Sequence, residues 1–445
     1  MNTKILLLIS ACLLAINLSA KTITVTSDAD AGAGTLREAV TNAENGDVIV
    51  FAENITSVYF AGVIIIDKNI TISGNETNNT IFQDGTWTDT ANKKRFFEIL
   101  KNAELTLNYL ILKDHTSNCT GGTIINDGKL TLNNCTFSNN KPRDSGGAIL
   151  TTGILAIDNC TFINNYAPIK GGAILNSGQL SIRNSNFKNN SCQRGGAIYS
   201  YASSALNATN TNYITNCVFE SNTAQYGSAI ENVSNLNIDK CVFTENNSTI
   251  AFGGTIINTI LEMSYYSYVL NGSLMSANST ERNIFISNST FNKNKSSSRE
   301  IFINCLGANA IVANCLFAEN ITQTPPNNSQ YKYYPDWQNH GIISSLNLVG
   351  YNSKYSISEL KSKLTVINTT IADNNAVGLY TNGEIEFYNN IIWDNENRDV
   401  FANTTEIVNY ANNLIGTSNI TLSGNNNIIG EDPLFVGNGD YSLRA

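Results

Sequence analysis

Charged residues fill only 14% of the 445 positions, against about 25% in ordinary soluble domains. Methionine and tryptophan number three each, proline six and histidine two. A bundle of charged amphipathic helices is excluded by that scarcity together with 69 asparagines, about one residue in six. Asparagine is a poor helix former and favours turns and left-handed backbone. Basic charge is also wanting: the net charge is −9 and the pI near 4.9. With no Lys/Arg cluster, a nucleic-acid partner is not expected. There is no Cys-x-x-Cys, and His115 and His340 stand far apart, so no transition-metal site or other cofactor is expected. Beyond the first twenty residues no apolar run reaches the ~18 that a membrane-spanning helix needs.

The apolar fraction of 42% is enough for a core and argues against disorder. Residues 1–20 read as a signal peptide: Lys4, an apolar stretch from Ile5 to Ile16, and the small-residue site Leu18-Ser19-Ala20. Ile9-Ser10-Ala11-Cys12 offers the alternative of a lipoprotein box, but the residues after Cys12 stay apolar. Export to the outer cell surface or the medium is expected. Residues 21–110 are read as an amino-terminal cap and first coils, and 111–445 as the repeats. Thr35-Leu36-Arg37-Glu38 has the form of a capping box, with Gly46 closing the segment. Strand-like runs flank this single short helix, Thr22–Thr26 before it and Asp47–Phe51 after.

From residue 121 the chain repeats. Gly146-Gly147-Ala148-Ile149 recurs as Gly171–Ile174 and Gly195–Ile198. Phe-x-x-Asn falls between, at Phe137, Phe162, Phe187, Phe219, Phe243, Phe291 and Phe317. A period of about 25 residues signals a solenoid. Leu180 and Ile182 alternate with Gln179, Ser181 and Arg183, as a strand buried on one face demands. Alternation slips by one at Asn134, Asn159 and Asn184, which requires a left-handed turn there. Each period therefore gives three short strands: one after Gly-Gly, one ending at the Asn, one carrying the Phe. Stacked coils of three strands make an all-β, right-handed parallel β-helix, a single solenoid of about a dozen coils and ~55 Å.

These motifs resemble the repeat of polymorphic outer-membrane proteins, which are surface-exposed right-handed β-helices. Thr35–Val40 with Gly46–Phe51 is similar to the amino-terminal cap of secreted proteins with the pectin-lyase-like fold. Asp432-Pro433-Leu434-Phe435 with Gly439-Asp440-Tyr441 resembles their closing coil. The resemblance covers most of residues 21–441. The family's carboxy-terminal autotransporter barrel is missing, and the chain stops soon after the closing coil begins, which leaves room for an anchor beyond it.

Cys135, Cys160, Cys217, Cys241 and Cys315 all precede the Phe by two residues. They are expected as an inward column near disulfide spacing. Buried free thiols are the favoured reading, because Ser185, Ser289 and Thr369 stand in the same place. The fold that the chain resembles includes polysaccharide lyases and hydrolases, whose chemistry needs paired carboxylates or a base beside a calcium-binding acid. No Asp-Asp, Gly-His-Gly or Arg-x-Pro-x-x-Arg is present. Asp373 with Asp394 is the nearest approach to a pair, and both sit in Asp-Asn turns. Asn339-His340-Gly341 has no acidic partner nearby.

No catalytic or metal residues are therefore assigned. The expected role is non-enzymatic: adhesion, or binding of a glycan or a neighbouring cell-surface protein. A carbohydrate-active enzyme is the alternative and a structural coat protein the third. Three insertions are expected at one corner on alternate coils: Tyr199–Asn212, Leu261–Asn283 and Ser344–Lys361. They would gather Tyr199, Tyr201, Tyr265, Tyr266 and Tyr268, joined by Tyr333 and Trp337 from a neighbouring loop. Such aromatics suit stacking on sugar rings, or else pack the loops onto the wall.

Overall fold

The computed structural model describes residues 20–86, 95–201, 210–249, 254–259, 283–297, 301–305, 308–322, 341–346, 362–396, 398–403, 408–422 and 424–444. Strands form where alternation was read. In Gln179–Arg183, Leu180 and Ile182 are buried and the other three side chains face out. The three strands of one coil, Ile149–Thr151, Ile154–Asp158 and Thr161–Ile163, belong to three different sheets. These are a 12-stranded glycine-side sheet, a 14-stranded middle sheet and a 14-stranded phenylalanine sheet. Neighbours in each sheet are equivalent strands of successive coils, paired parallel, so Phe137 meets Phe162 and Phe162 meets Phe187. The fold is a parallel β-helix. Fourteen strands at ~4.8 Å per step make a rod of about 62 Å.

The corners explain the composition. Asn134, Asn159 and Asn184 have φ of 54°, 50° and 53°, and five residues on Asn139, Asn164 and Asn189 repeat the device at 57°, 56° and 55°. At the third corner Gly146, Gly171 and Gly195 have φ of 69°, 64° and 66°. The second glycine of each pair lies against the next coil's backbone, as Gly147 does against the Gly172 carbonyl, with no room for a Cβ. A fourth, two-residue contact went unread in the sequence. Thr223–Ala224, Asn247–Ser248, Lys295–Ser296 and Ile321–Thr322 form a narrow parallel sheet of their own.

The lumen is filled by ladders. All seven motif phenylalanines are fully buried, and their rings stack with centroids 4.3–4.9 Å apart and planes within 7°. The asparagine of Phe-x-x-Asn forms a second, buried ladder. Asn165 Nδ2 donates to Asn190 Oδ1 (3.0 Å) and to Phe137 O (2.9 Å), while Asn165 Oδ1 accepts from Asn140 N and Nδ2. The chain of amides runs from Asn140 through Asn222, Asn246, Asn294, Asn320 and Asn374 to Asn395, where Asp399 receives the last Nδ2 at 2.8 Å. At its start, the His115 N–H donates to Asn140 Oδ1, and His115 Nδ1 lies 2.6 Å from Asp84.

The cysteine column consists of buried free thiols at Cys135, Cys160, Cys217, Cys241 and Cys315. Its requirement is a small side chain that accepts a hydrogen bond. Cys160 Sγ takes the Cys135 N–H, Ser185 Oγ the Cys160 N–H and Ser289 Oγ the Cys241 N–H. Burial pushes the Cys315 thiol up to about 12.

The amino-terminal helix spans Leu36–Asn42 with Thr35 as N-cap. Thr35 Oγ1 accepts the Glu38 N–H, but Glu38 returns its carboxylate to the Gly34 N–H rather than to Thr35. Ala43, not Gly46, is the C-cap, and Gly46 (φ 94°) makes the following turn. Leu36, Ala39 and Val40 join the same core that runs on to Leu422, through the 110/111 boundary. The expected closing coil differs: Phe435–Gly437 and Asp440–Leu443 form an antiparallel hairpin. Gly437, Asn438 and Gly439, all at positive φ, turn the chain back too tightly for another parallel coil. Tyr441 then donates to Asp373 Oδ2 at 2.9 Å.

Candidate functional site

On the outer face of the glycine-side sheet, Leu150, Leu175, Tyr199, Glu231 and Ile257 lie in register. They face away from the lumen, yet Leu175, Tyr199, Glu231 and Ile257 are buried. Leu175, Tyr199 and Val233 make a satellite apolar cluster, with Leu150 and Tyr201 packed against it. Two charges and a ring are gathered beside it by the residue that precedes the corner glycine of each coil. Lys170, Arg194 and Tyr226 are stacked there by bridges between successive coils.

Lys170 Nζ stands 4.9 Å from the centroid of the Tyr199 ring and 5.8 Å from that of Tyr201. The Arg194 guanidinium lies 5.7 Å from Tyr199 and 5.5 Å from Tyr226. Arg194 Nε donates to Glu231 Oε2 at 3.0 Å, and its Nη2 to Oε1. Both side chains are almost wholly removed from water, at 3% and 0% exposure. A buried pair of this kind is costly to break, because the remaining charge is left without compensation. Burial raises the Tyr226 hydroxyl above its usual pKa. It also pushes the neighbouring Cys192 thiol up, and Cys192 Sγ donates to the Arg194 and Gly195 carbonyls. This wall can hold and orient aromatic rings and one compensated charge pair. Among the described residues, the stretch of this column from Leu150 to Ile257 contains one carboxylate, Glu231; the next in the column, Glu98, lies beyond Ile125 and pairs with Arg95.

Of the residues expected at the aromatic edge, Tyr199 is fully buried in this wall and Tyr201 half-buried beside it. Its ring therefore packs rather than being presented outward. Tyr265, Tyr266, Tyr268, Tyr333 and Trp337 lie outside the described residues. The strands that bound the insertions are described. Ile198–Tyr201, Ile256–Thr259 and Gly341–Leu346 leave the glycine-side sheet, and Thr211–Thr215, Asn283–Ser287 and Lys363–Ile367 enter the middle sheet. All three insertions thus start and end at one corner. Between them, Ile230–Val233 passes to Asn235 and Phe302–Cys305 to Asn309 with short connections, so long and short corners alternate.

Asp373 and Asp394 are exposed residues at φ of 54° and 53°, in the column of left-handed corners that includes Asp114, Asn139 and Asn164. They are turn residues. His340 lies outside the described residues, and His115 is buried against Asp84 at the end of the amide ladder. Among the described residues no three His, Cys, Asp or Glu side chains are grouped to hold a metal. The Arg194–Glu231 pair was missed in the sequence, although the position before each glycine pair was there to be compared.

No protein-family model matches the chain, and no curated protein does. Among solved structures, the chain is similar to the catalytic unit of a thermostable GH87 α-1,3-glucanase from Streptomyces thermodiastaticus strain HF3-3. That match has 12% identity and a TM-score of 0.44, over 93% of this chain and 68% of the other. It is also similar to a mannuronic acid specific polysaccharide family 6 lyase from human gut microbiota. Here identity is 12% and the TM-score 0.41, over 93% of this chain and 92% of the other. At such identity the likeness concerns the course of the chain and not its chemistry.

Proposed function

We propose that the chain is an exported β-helix that binds a glycan through the insertions at the corner between its glycine-side and middle sheets. It acts at the outer cell surface or after release, without turning the glycan over. The observation that carries this reading is the placement of three insertions on alternate strands of one corner. Adjacent coils are ~4.8 Å apart and packed chain layers need about 10 Å, so skipping a coil gives each insertion room beside the next. The tyrosine content of the insertions supplies stacking surface. The low charge of their sequence, with Glu262, Glu281 and Arg282 in the second insertion and Lys354, Glu359 and Lys361 in the third, favours a sugar over an ionic partner.

The test is retention of the full chain on immobilised surface polysaccharides, with Tyr265, Tyr266 and Tyr268 replaced together by alanine. Retention should fall with the far-ultraviolet spectrum unchanged; undiminished retention rejects the corner. Retention on a neighbouring cell's proteins after its glycans are stripped would point to a protein partner instead. With polygalacturonate and calcium no unsaturated product is expected. Product formation abolished by Asp373→Ala or Asp394→Ala would establish an enzyme.

A further inference from the structure

A second surface, independent of the insertions, lies where the middle sheet stops. Val408–Ala411 is its last strand, and the chain that follows only partly covers that edge. Asn412 N donates to Asn425 O (2.9 Å), and Asn425 Nδ2 to Tyr410 O (3.1 Å). Asn426 Nδ2 donates to Asn412 Oδ1 (3.1 Å). The step leaves a groove of about 430 Å³, lined by Tyr388, Tyr410, Asn409, Asn412, Asn425 and Asn426.

Three features of this groove bear on what it would hold. It is shallow and open to solvent, a seat for one face of a ring rather than an enclosing cleft. Its lining has no charged side chain. Among the described residues, the carboxylate of Glu386 sits beside Asn409 in register on the sheet face and accepts from Lys363 at 3.2 Å. Finally, the lining joins the outward Tyr388 ring to amides. A carboxamide offers both donors and acceptors, the combination that vicinal hydroxyls require, and a tyrosine ring gives an apolar face for a sugar ring.

Tyr410 itself is held on the lumen side of the strand: its hydroxyl donates to Thr421 O at 3.2 Å, and its ring stacks on the buried Phe387 with centroids 5.8 Å apart. Tyr388, in register with Ala411, alternates with Phe387 and faces outward. The four asparagines are exposed.

We infer that this groove is a binding site for neutral hexose units of an oligosaccharide, with the Tyr388 ring as a stacking face and the asparagine amides reading hydroxyls. It extends glycan binding to a second place on the molecule, and stands on the groove alone. An acidic sugar finds no cation in the lining and binds less well.

The full chain is titrated with maltohexaose, cellohexaose, mannohexaose and hexagalacturonate, by calorimetry and by ligand-observed NMR. At least one neutral hexasaccharide should bind, and hexagalacturonate about tenfold more weakly. Tyr388→Ala and, separately, Asn426→Asp should each weaken the neutral sugar about tenfold at unchanged melting temperature. The Tyr265, Tyr266 and Tyr268 triple replacement should leave this binding intact. Failure of all three neutral sugars to bind overturns the inference, as does binding that both groove variants retain. Binding lost in the triple replacement but kept in Tyr388→Ala would assign the sugar to the insertion corner and reject the groove.

Discussion

Corner and ladder asparagines answer to different physics. The corner residue, such as Asn184, is exposed and chosen for its left-handed backbone; replacing it with alanine should cost about 1–2 kcal/mol. The ladder residue, such as Asn190, is buried and holds four partners: Asn165 N, Asn165 Nδ2, Phe162 O and Asn222 Oδ1. Asn190→Ala strands several of them, each at about 1–3 kcal/mol. Urea unfolding should therefore show a loss rivalling the ~3–5 kcal/mol of Phe187→Ala. An Asn190→Ala cost no larger than that of Asn184→Ala would reject the ladder as a stabilising element. The opposite sign is expected at Thr255. Its buried hydroxyl has no partner among the described residues, whereas Thr123 at the equivalent place donates to Ala148 O. Thr255→Val keeps the shape and removes the orphan, so stability should rise by about 1–3 kcal/mol. The corner asparagine was legible because alternation slips there. The ladder asparagine was legible as a spacing only, since its partners lie a whole coil away.

Elements were readable wherever one coil's own residues decide them. The three strands, the glycine corner and the helix start follow from alternation, left-handed backbone and an N-cap. What depends on contact between distant segments was not readable: the helix end at Ala43, the closing hairpin and the fourth narrow sheet. Asp47 shows how such a contact works. Its carboxylate accepts the Glu44 N–H at 2.8 Å and the Lys21 N–H at 2.9 Å, tying the helix exit and the first strand to the second. The Glu44 N–H, followed by Lys21, holds the Asp47 carboxyl below its ordinary range. A folded pKa below the unfolded one stabilises the cap above the usual carboxylate value of about 3.9, and that contribution is lost as pH falls through the lowered folded value. Amide exchange across Val48–Phe51 should accelerate on acidification below about pH 4, beyond the intrinsic pH effect. Asp47→Asn should be equally open at both pH values. Protection in wild type that ignores pH would show that the tie is idle.

On the scale of the whole rod, each coil touches only its neighbours, so stability is built from repeated interfaces and the ends become the exposed sites. The candidate site reflects the same division. Its corner was legible, because insertions interrupt a known period. Its buried Arg194–Glu231 pair was not, because those residues are 37 positions apart and meet only when coils stack. At the amino-terminal end the first strands would present open edges and an open lumen, which invite pairing with another chain. The helix Leu36–Asn42 closes that end with Leu36, Ala39 and Val40, all buried in the common core. Leu36→Asp puts a charge under this lid, which the apolar lumen cannot compensate, so the lid should lift while the interior coils keep their own ladders. The expected outcome is self-association at nearly wild-type strand content, seen as larger species by light scattering with little change in far-ultraviolet signal. Phe187→Ala removes interior packing and leaves the end closed, so it should lower the unfolding midpoint without that association. A Leu36→Asp protein that stays monomeric and fully stable would mean the helix rides on the solenoid without guarding it.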